Sequence, residues 1–268
     1  GNYSVTSHST WIEITVLVQV CVSLFFDSLM FAEMFLPEIF YVVTVLVDVG
    51  PLDLRIASHQ LLLNVLQSFL TKASLSEKSK NKIRDSIEHF TSHRSRILFG
   101  LNRDSSDNFP TEISKFSTRV STMESLIASL LEIIDVASTE NSKVLWIARW
   151  NRYVIDAVCR KDSVLRGRAL LLLGVLSKGG VNDTMVFKVL EIATEIAKED
   201  IADEKYRFMA ICSIFSLSRI VLGLLPNSPL YTKIFWLAIV VTYSDHIALY
   251  QGGLQFITMT LLSMHIKD

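Results

Sequence analysis

The segment DSVLRGRALLLL, residues 162–173, recurs 41 residues later as DEKYRFMAICSI, residues 203–214, and this recurrence indicates the architecture of the chain. In both copies an arginine follows an aspartate by four residues, and apolar side chains keep the same register behind it. A fainter third copy begins at Asp245, with Leu249 in the place of the arginine. A period of about 40 residues predicts a stack of similar structural units.

The apolar residues within each copy are spaced as on a helix. Leu165, Ala169, Leu172 and Leu176 form one stripe, and further leucines make this helix apolar nearly all round. Such a helix is covered on several sides, by its own partner helix and by the neighbouring units. We therefore predict an all-α, HEAT- or armadillo-like solenoid of antiparallel helix pairs, with units near 143–178, 182–224 and 229–266.

The rest of the chain reads as further helices with short breaks. Gly and Pro together number 15 of 268 residues, about half of the roughly 12% that is usual. Pro37 with Glu38 predicts a helix start, and Gly50–Pro51 predicts the end of that helix and the start of the next. We predict a linker at 1–10, N-terminal helical repeats at 11–101, a mobile loop at 102–110 and C-terminal repeats at 111–268.

Two segments resemble strands. Residues 11–22 alternate β-branched and less apolar side chains, and residues 42–49 are rich in valine, both of which favour β-structure by propensity. We expect helices, because neither run has a hairpin turn beside it. For residues 11–22 the sequence leaves helix or strand open.

Residues 12–36 are apolar and long enough to span a membrane. Glu13, Asp27 and Glu33 fall inside this stretch, and a carboxylate deep in hydrocarbon costs roughly 2.5–3.5 kcal/mol. We therefore expect a buried helix of a soluble protein. A membrane-embedded helical protein is the alternative.

Composition and motifs exclude several functions. The net charge of −1 supplies no general attraction to phosphate backbones, so nucleic acid is not an expected partner. Phosphate-binding, dinucleotide-binding and nucleophile-elbow motifs are absent from the sequence, so we predict no enzyme activity, cofactor or metal. Cys21, Cys159 and Cys212 stand among aliphatic residues, which predicts buried thiols in a reducing cytosol.

The repeated charged residues predict a structural ladder. Asp162 and Asp203 can accept from free N–H groups of a first helical turn, whereas Arg166 and Arg207 lie too near the positive helix end to be favoured there. We expect each arginine to pair with the aspartate of a neighbouring unit, and Arg55 to hold the same place after Pro51. A binding role for the arginines is the alternative.

A basic cluster is the second candidate site. It predicts contact with an anionic membrane surface or an acidic partner, although solvated helix faces would have the same composition. Its residues are Lys72, Lys78, Lys80, Lys82, Arg84, Arg94 and Arg96.

Parts of the chain resemble the helical region of the neurofibromin family. They are LPEIFYVVTVLVDVGPLDLR (36–55), LLLNVLQSF (61–69), RALLLLGVLSK (168–178) and KIFWLAIVVTYSDHIALY (233–250). The similarity is greatest to the family's fungal members, the inhibitory regulators of Ras and cyclic-AMP signalling. It covers nearly the whole chain, with Pro37, Gly50, Arg55, Gly174 and Trp236 as anchors.

The resemblance implies a role in a much larger protein. In that family a Ras GTPase-activating domain and a lipid-binding Sec14 and pleckstrin-like module precede a helical-repeat arm. This sequence lacks the activating motif, Phe-Leu-Arg followed by Pro-Ala, so no arginine finger is carried over.

We therefore expect a non-catalytic scaffold that positions the activating domain through self-association or partner docking. Its partners would be the rest of the same chain and, indirectly, Ras, in a cytoplasmic and peripherally membrane-associated protein. A HEAT-type adaptor unrelated to Ras is the alternative.

Overall fold

The structure, a computed structural model, describes residues 9–102, 113–160, 165–177, 183–198, 203–225 and 227–265. The regular elements in these ranges are helices, and no strand occurs among them, so the predicted all-α class is confirmed. Residues 11–22, for which the sequence left helix or strand open, are helical. The helices are α1 (Ser9–Leu24), α2 (Leu29–Leu46), α3 (Leu52–Leu70), α4 (Glu77–Thr91), α5 (His93–Leu98), α6 (Ile113–Ala137), α7 (Glu140–Cys159), α8 (Arg166–Leu176), α9 (Asp183–Ile196), α10 (Glu204–Ile220), α11 (Leu230–Val241) and α12 (Ile247–His265).

The chain forms two compact units, residues 1–153 and 154–268. The linker predicted at 1–10 lies outside the described residues except for Ser9 and Thr10, which already belong to α1. The loop predicted at 102–110 lies outside them except for Asn102. The domain bounds drawn from the sequence remain predictions.

In the first unit α1 and α3 pack side by side and run parallel. The side-chain amide of Asn64 donates to the Val22 carbonyl at 2.9 Å, and the Ser68 hydroxyl donates to the Phe25 carbonyl at 3.1 Å. At the opposite end Trp11 lies against Gly50. Gly50 has φ +79°, and a β-carbon on it would lie 2.9 Å from Leu54 and 3.1 Å from Trp11. Glycine therefore suits this turn both for its backbone conformation and for space.

The helix start predicted at Pro37 is confirmed in part, because two helical segments meet at a kink just before it. Pro37 lies inside α2, which begins at Leu29, and the backbone is non-helical two residues earlier, at Phe35 (φ −117°, ψ 15°). Proline lacks an N–H group and its ring clashes with the carbonyl four residues before it, which kinks a helix at this point. The predicted break at Gly50–Pro51 is confirmed, because α2 ends at Leu46 and α3 begins at Leu52.

In the second unit α8, α10 and α12 form a parallel stack. A β-carbon on Gly167 would lie 2.6 Å from the Phe208 ring, and one on Gly174 would lie 2.9 Å from the Ser216 α-carbon. On the other side of α10 the Ser263 hydroxyl of α12 donates to the Val221 carbonyl at 2.8 Å. The α8–α10 contacts join residues 41 and 42 positions apart, so corresponding residues of the repeated stretch lie beside each other.

α11 and α12 form an antiparallel pair. The Tyr231 hydroxyl, at the start of α11, lies 2.8 Å from the Ser263 hydroxyl near the end of α12. At the other end of the pair, a β-carbon on Gly253 would lie 3.0 Å from Thr242. The glycine permits close approach of the two helices at this point.

The cysteine prediction is correct for one residue only. Cys212 is fully buried, and burial raises the pKa of its thiol. Cys21 is half-buried, and Cys159 is exposed. Cys159 is the last residue of α7, and a helix end has fewer neighbours to cover it than a helix middle.

The apolar stretch at 12–36 is not a single helix. It is interrupted after Leu24, where Asp27 has φ 49°. α1 is also less buried than expected: Val16, Val20 and Leu24 are about half exposed and Ile12 is more so, because α1 packs on α3 through one face only.

By length and composition two helical stretches of the described chain could cross a membrane, Leu29–Leu46 and Tyr206–Gly223. They are 50% and 61% buried within the structure. Core helices of soluble proteins satisfy the same criterion, so these stretches are weak evidence for a membrane protein.

Candidate functional site

Two arginines of the predicted ladder are buried and contact helix C-termini. Arg55, in the first turn of α3, donates through Nη1 to the Gly100 carbonyl, just after α5. Arg166, the first residue of α8, donates through Nε to the Val158 carbonyl at 2.9 Å, in the last turn of α7. These carbonyls lack helical partners and lie at the negative end of a helix dipole. Each guanidinium therefore caps a neighbouring helix.

Burial lowers the pKa of Arg55 from its ordinary value. The guanidinium stays protonated because its ordinary pKa is so high. A buried cation needs a partner to offset its lost hydration, and the Gly100 carbonyl is one. Arg55 thus ties the start of α3 to the end of α5 within the first unit.

The aspartate part of the ladder remains a prediction. Asp162 lies outside the described residues. Asp203 is exposed just before α10, where its carbonyl accepts the Arg207 N–H at 3.0 Å, and Arg207 itself is half-buried. Arg166 Nη2 lies 3.9 Å from the Glu195 carboxylate in α9. Leu249, at the arginine position of the third copy, is a buried core residue of α12.

A polar contact between α2 and α7 was not predicted from the sequence. Glu38 Oε1 accepts a hydrogen bond from Arg149 Nη2. A hydrogen bond to Glu38, together with the negative charge of Glu38, raises the pKa of the Tyr153 hydroxyl. The Tyr41 and Tyr153 rings lie 5.8 Å apart between centroids beside it. No local pattern indicates this contact, because its partners are more than 100 residues apart in the chain.

Lys72 belongs to an internal contact and not to an open basic surface. Its Nζ lies 2.7 Å from the Glu33 carboxylate and donates to the Ala137 carbonyl at 3.0 Å. The lysine therefore joins the region after α3 to α2 and to the end of α6. An ion pair of this kind fixes packing between helices but leaves little charge for an external ligand.

The other predicted basic residues are divided over two flanks of α4 and over α5. Ile83 and Phe90 form the buried face of α4. At 100° per residue, Lys78 and Lys82 lie on one flank of the exposed face and Lys80 and Arg84 on the other. Lys80 and Arg84 lie 3.4 Å and 3.8 Å from the Glu77 carboxylate. The remaining exposed cations of the cluster are Lys78, Lys82, Arg94 and Arg96.

Acidic residues separate the two flanks of α4. Glu77, Asp85 and Glu88 are all exposed, and helical geometry places them along the middle of the outward face. A flat anionic surface on this face would meet carboxylates as well as ammonium groups. The structure therefore brings Lys78 and Lys82 together, one turn apart, but does not assemble the whole predicted cluster.

α12 carries a row of exposed apolar side chains. Ile247, Tyr250, Leu254 and Leu261 are between 44% and 59% exposed. Spacings of three, four and seven residues keep these side chains on one side of the helix.

Ligand chemistry is sparse in the described part of the chain. A pocket of about 280 Å³ opens between α1 and α3, with Gln19, Asp53 and Gln60 among its lining residues. It is smaller than most small-molecule sites, which measure about 300–1,000 Å³. Within the described ranges, His, Cys, Asp and Glu side chains do not gather in a group of three that could hold a metal ion.

Comparison with known proteins identifies relatives. No protein-family model matches the chain. It is 31% identical over 264 residues to the inhibitory regulator protein IRA1 of Saccharomyces cerevisiae, and 30% identical over 261 residues to IRA2 of the same yeast. Each match covers 97% of this chain. This chain belongs to the neurofibromin-like inhibitory regulator family.

The resemblance found in the sequence is thereby confirmed. The matched segment spans 8% of the length of each inhibitory regulator. The family assignment therefore concerns a segment, and the activity and partners of a whole inhibitory regulator do not follow from it alone.

Proposed function

We propose that this chain is a non-catalytic helical-repeat scaffold segment of a large Ras GTPase-activating protein, a negative regulator of Ras signalling. The observation that carries the scaffold role is the register of the α8–α10–α12 stack, in which each copy of the repeated stretch packs beside the next. Membership of the inhibitory regulator family supports the link to Ras.

The same spacing supports a HEAT-like arrangement in each unit. In the second unit Gly167 meets Phe208, 41 residues later, and in the first unit Val22 accepts from Asn64, 42 residues later. Repeat proteins are built from contacts between neighbouring units at one fixed period. A scaffold needs this regularity because it keeps surfaces at set distances without further chemistry.

The scaffold positions the activating domain through self-association or through docking of partners. Its immediate partners are the activating and lipid-binding modules of the same polypeptide, and Ras is an indirect one. We place it in the cytoplasm, peripherally on membranes. The exposed Lys78 and Lys82 flank of α4 supports an anionic contact, and the neighbouring carboxylates weaken it.

Removal of residues 1–268 from the whole protein tests the proposal. Because the scaffold contributes no reacting group, turnover of Ras-bound GTP in dilute solution stays within about twofold, while a group acting in the transition state would supply tenfold or more. We expect the mass of the assembly in solution, or the fraction of the protein that is bound to membranes, to change. A more than tenfold loss of turnover, with the activating domain still folded, would refute a non-catalytic role.

The two alternatives predict different observations. A HEAT-type adaptor unrelated to Ras would lack the Phe-Leu-Arg and Pro-Ala motif upstream in its polypeptide. A membrane-embedded helical protein would need detergent to remain in solution. The 50% and 61% burial of the two membrane-length helices within the structure favours the scaffold over this second alternative.

A further inference from the structure

Two side chains on one face of α3 contact the ends of α4 and α5. Arg55 and His59 lie four residues apart, which places them one above the other on the helix. Arg55 donates to the Gly100 carbonyl just after α5, and His59 Nε2 lies 2.8 Å from the Phe90 carbonyl in the last turn of α4. α3 thus holds both following helices at their C-terminal ends.

The two contacts respond differently to pH. A carbonyl oxygen only accepts hydrogen bonds, so His59 Nε2 carries the hydrogen, and Nδ1 is the ring nitrogen without one in the neutral side chain. The guanidinium of Arg55 stays protonated over the range in which histidine titrates. Acid therefore changes the charge of the His59 contact and leaves that of the Arg55 contact unchanged.

The surroundings of His59 disfavour a second proton on its ring. The side chain is half-buried, and the centroid of the Phe99 ring lies 4.9 Å from that of the imidazole. Burial lowers the pKa of His59 from its ordinary value, the hydrogen bond to Phe90 opposes this shift, and the charge of Arg96 in α5 adds to it. Protonation would therefore place a cation in a partly desolvated site that already has a cation beside it.

The other charged residues near this contact come from the same three helices. On α3, Arg55 is buried one turn before His59 and has the same sign as a protonated imidazole. On α4, Glu88 and His89 lie in the last turn and are exposed, as is Arg94 on α5. Solvent screens the exposed charges, so the carboxylate of Glu88 offers a protonated His59 little compensation.

α4 and α5 are held to the first unit by few side chains. The buried residues of α4 are Ile83 and Phe90, and that of α5 is Ser95, whereas more than half of α3 is buried. The Ser95 hydroxyl donates to the His89 carbonyl at 2.9 Å, which joins the two helices to each other. Segments with few buried contacts open at the lowest cost in free energy. The α4–α5 segment, residues 77–98, therefore depends more than the core helices on each contact with α3.

We propose that His59 is a pH-dependent switch, in which acid protonates the imidazole and releases the α4–α5 segment from α3. In the open segment the imidazole is hydrated and its pKa returns to about 6.5. The folded-state pKa is lower, so the open state binds the proton first, and opening becomes more favourable as the pH falls from about 6.5 toward the folded-state pKa. The switch depends on contacts within the first unit alone, and not on the proposed regulation of Ras.

Amide hydrogen exchange of the whole natural polypeptide, read by mass spectrometry at about pH 7.5 and about pH 5.5, on either side of the ordinary histidine pKa, tests the proposal. His59→Gln is the comparison at each pH, because its side-chain amide can donate to the Phe90 carbonyl but does not titrate, and intrinsic exchange rates cancel between the two proteins. Relative to this variant, we expect the opening equilibrium constant of α4 and α5 in the natural protein to rise by about two- to tenfold at the lower pH. α12, in the second unit, should show no such rise.

His89→Gln is the matched control, because it removes an exposed histidine from the same segment. This variant should keep the acid-induced opening of α4 and α5. The proposal would be overturned if the natural protein and His59→Gln opened equally at the lower pH, if His89→Gln also abolished the response, or if α12 opened to the same extent. Exchange of the imidazole C2 hydrogen measures the protonation of His59 itself, and a pKa at or above about 6.5 would contradict the switch.

Discussion

Alanine at Gly174 should destabilise the second unit, although glycine is a poor residue for the middle of a helix. Gly→Ala in a helix interior ordinarily stabilises by about 1 kcal/mol. At Gly174 the added β-carbon would lie 2.9 Å from the Ser216 α-carbon, which is backbone and cannot rotate away. Overpacking of this kind costs about 1–3 kcal/mol. The net expectation is a loss of up to about 2 kcal/mol for Gly174→Ala.

Gly252→Ala is the matched control. Gly252 lies inside α12, and its added β-carbon would lie 3.5 Å from the Ile214 methyl group, an ordinary van der Waals contact. The helix-propensity gain is the same, so this variant should be stabilised by about 0.5–1 kcal/mol. The difference between the variants isolates the steric cost of bringing α8 and α10 closer than a methyl group allows.

Native-state hydrogen exchange, read by mass spectrometry on α8, α10 and α12, measures both effects, because it reports the local opening free energy of each segment. Gly174→Ala should speed exchange in α8 and α10, and Gly252→Ala should slow exchange in α12. If Gly174→Ala protected α8 and α10 as well, the close parallel packing of these helices, and the register argument built on it, would be wrong.

Three further predictions follow from the polar contacts. Arg55→Met should lower the free energy of unfolding by about 1–3 kcal/mol, because a buried carbonyl loses its donor. Arg94 is exposed, so Arg94→Met should change the free energy of unfolding by less than about 0.5 kcal/mol. Equal effects of the two variants in urea denaturation would contradict the capping role. Burial lowers the pKa of His59 below 6.5, against an opposing hydrogen bond to Phe90. The unfolded state therefore binds the proton first, and stability falls as the pH drops from about 6.5 toward the folded-state pKa; His59→Gln should flatten that profile, and an unchanged slope would refute the assignment. The double variant Lys78→Glu, Lys82→Glu should bind anionic vesicles more weakly in a sedimentation assay, with a loss of binding free energy of up to about 1 kcal/mol per removed cation. Lys188→Glu is the control, and unchanged binding of the double variant would remove the anionic-surface hypothesis.

Helix positions were largely predictable from the sequence. α3 begins at Leu52, directly after the predicted Gly50–Pro51 break, and α9 and α10 lie within the unit predicted near 182–224. Helix ends depend on residues nearby, such as the Gly50–Pro51 break, whose conformational preferences do not need the rest of the protein. The α2 kink shows the limit, because Pro37 lies in the first turn of a helical segment that continues, across the kink at Phe35, from a helix beginning at Leu29.

The candidate site was less predictable. The sequence indicated that Arg55 and Arg166 need partners. In the structure Arg55 donates to a carbonyl 45 residues away, and Arg166 donates to a carbonyl eight residues upstream and lies near the Glu195 carboxylate. Lys72 resembled the lysines that follow it, yet it joins Glu33 and Ala137 inside the first unit. Which charges remain on the surface depends on how helices pack, and charge counts along the chain carry no information about that packing.

The linear order of residues was enough for the all-helical class, the helix positions and the 41-residue period, because hydrophobic spacing and turn chemistry act over one or two helical turns. Three-dimensional packing was needed to establish that α8, α10 and α12 run parallel, that two arginines cap helix ends, that Cys159 is exposed and that one side of α12 is uncovered. These features arise from contacts between residues far apart in the chain, where small differences in shape and solvation select among arrangements with the same local pattern.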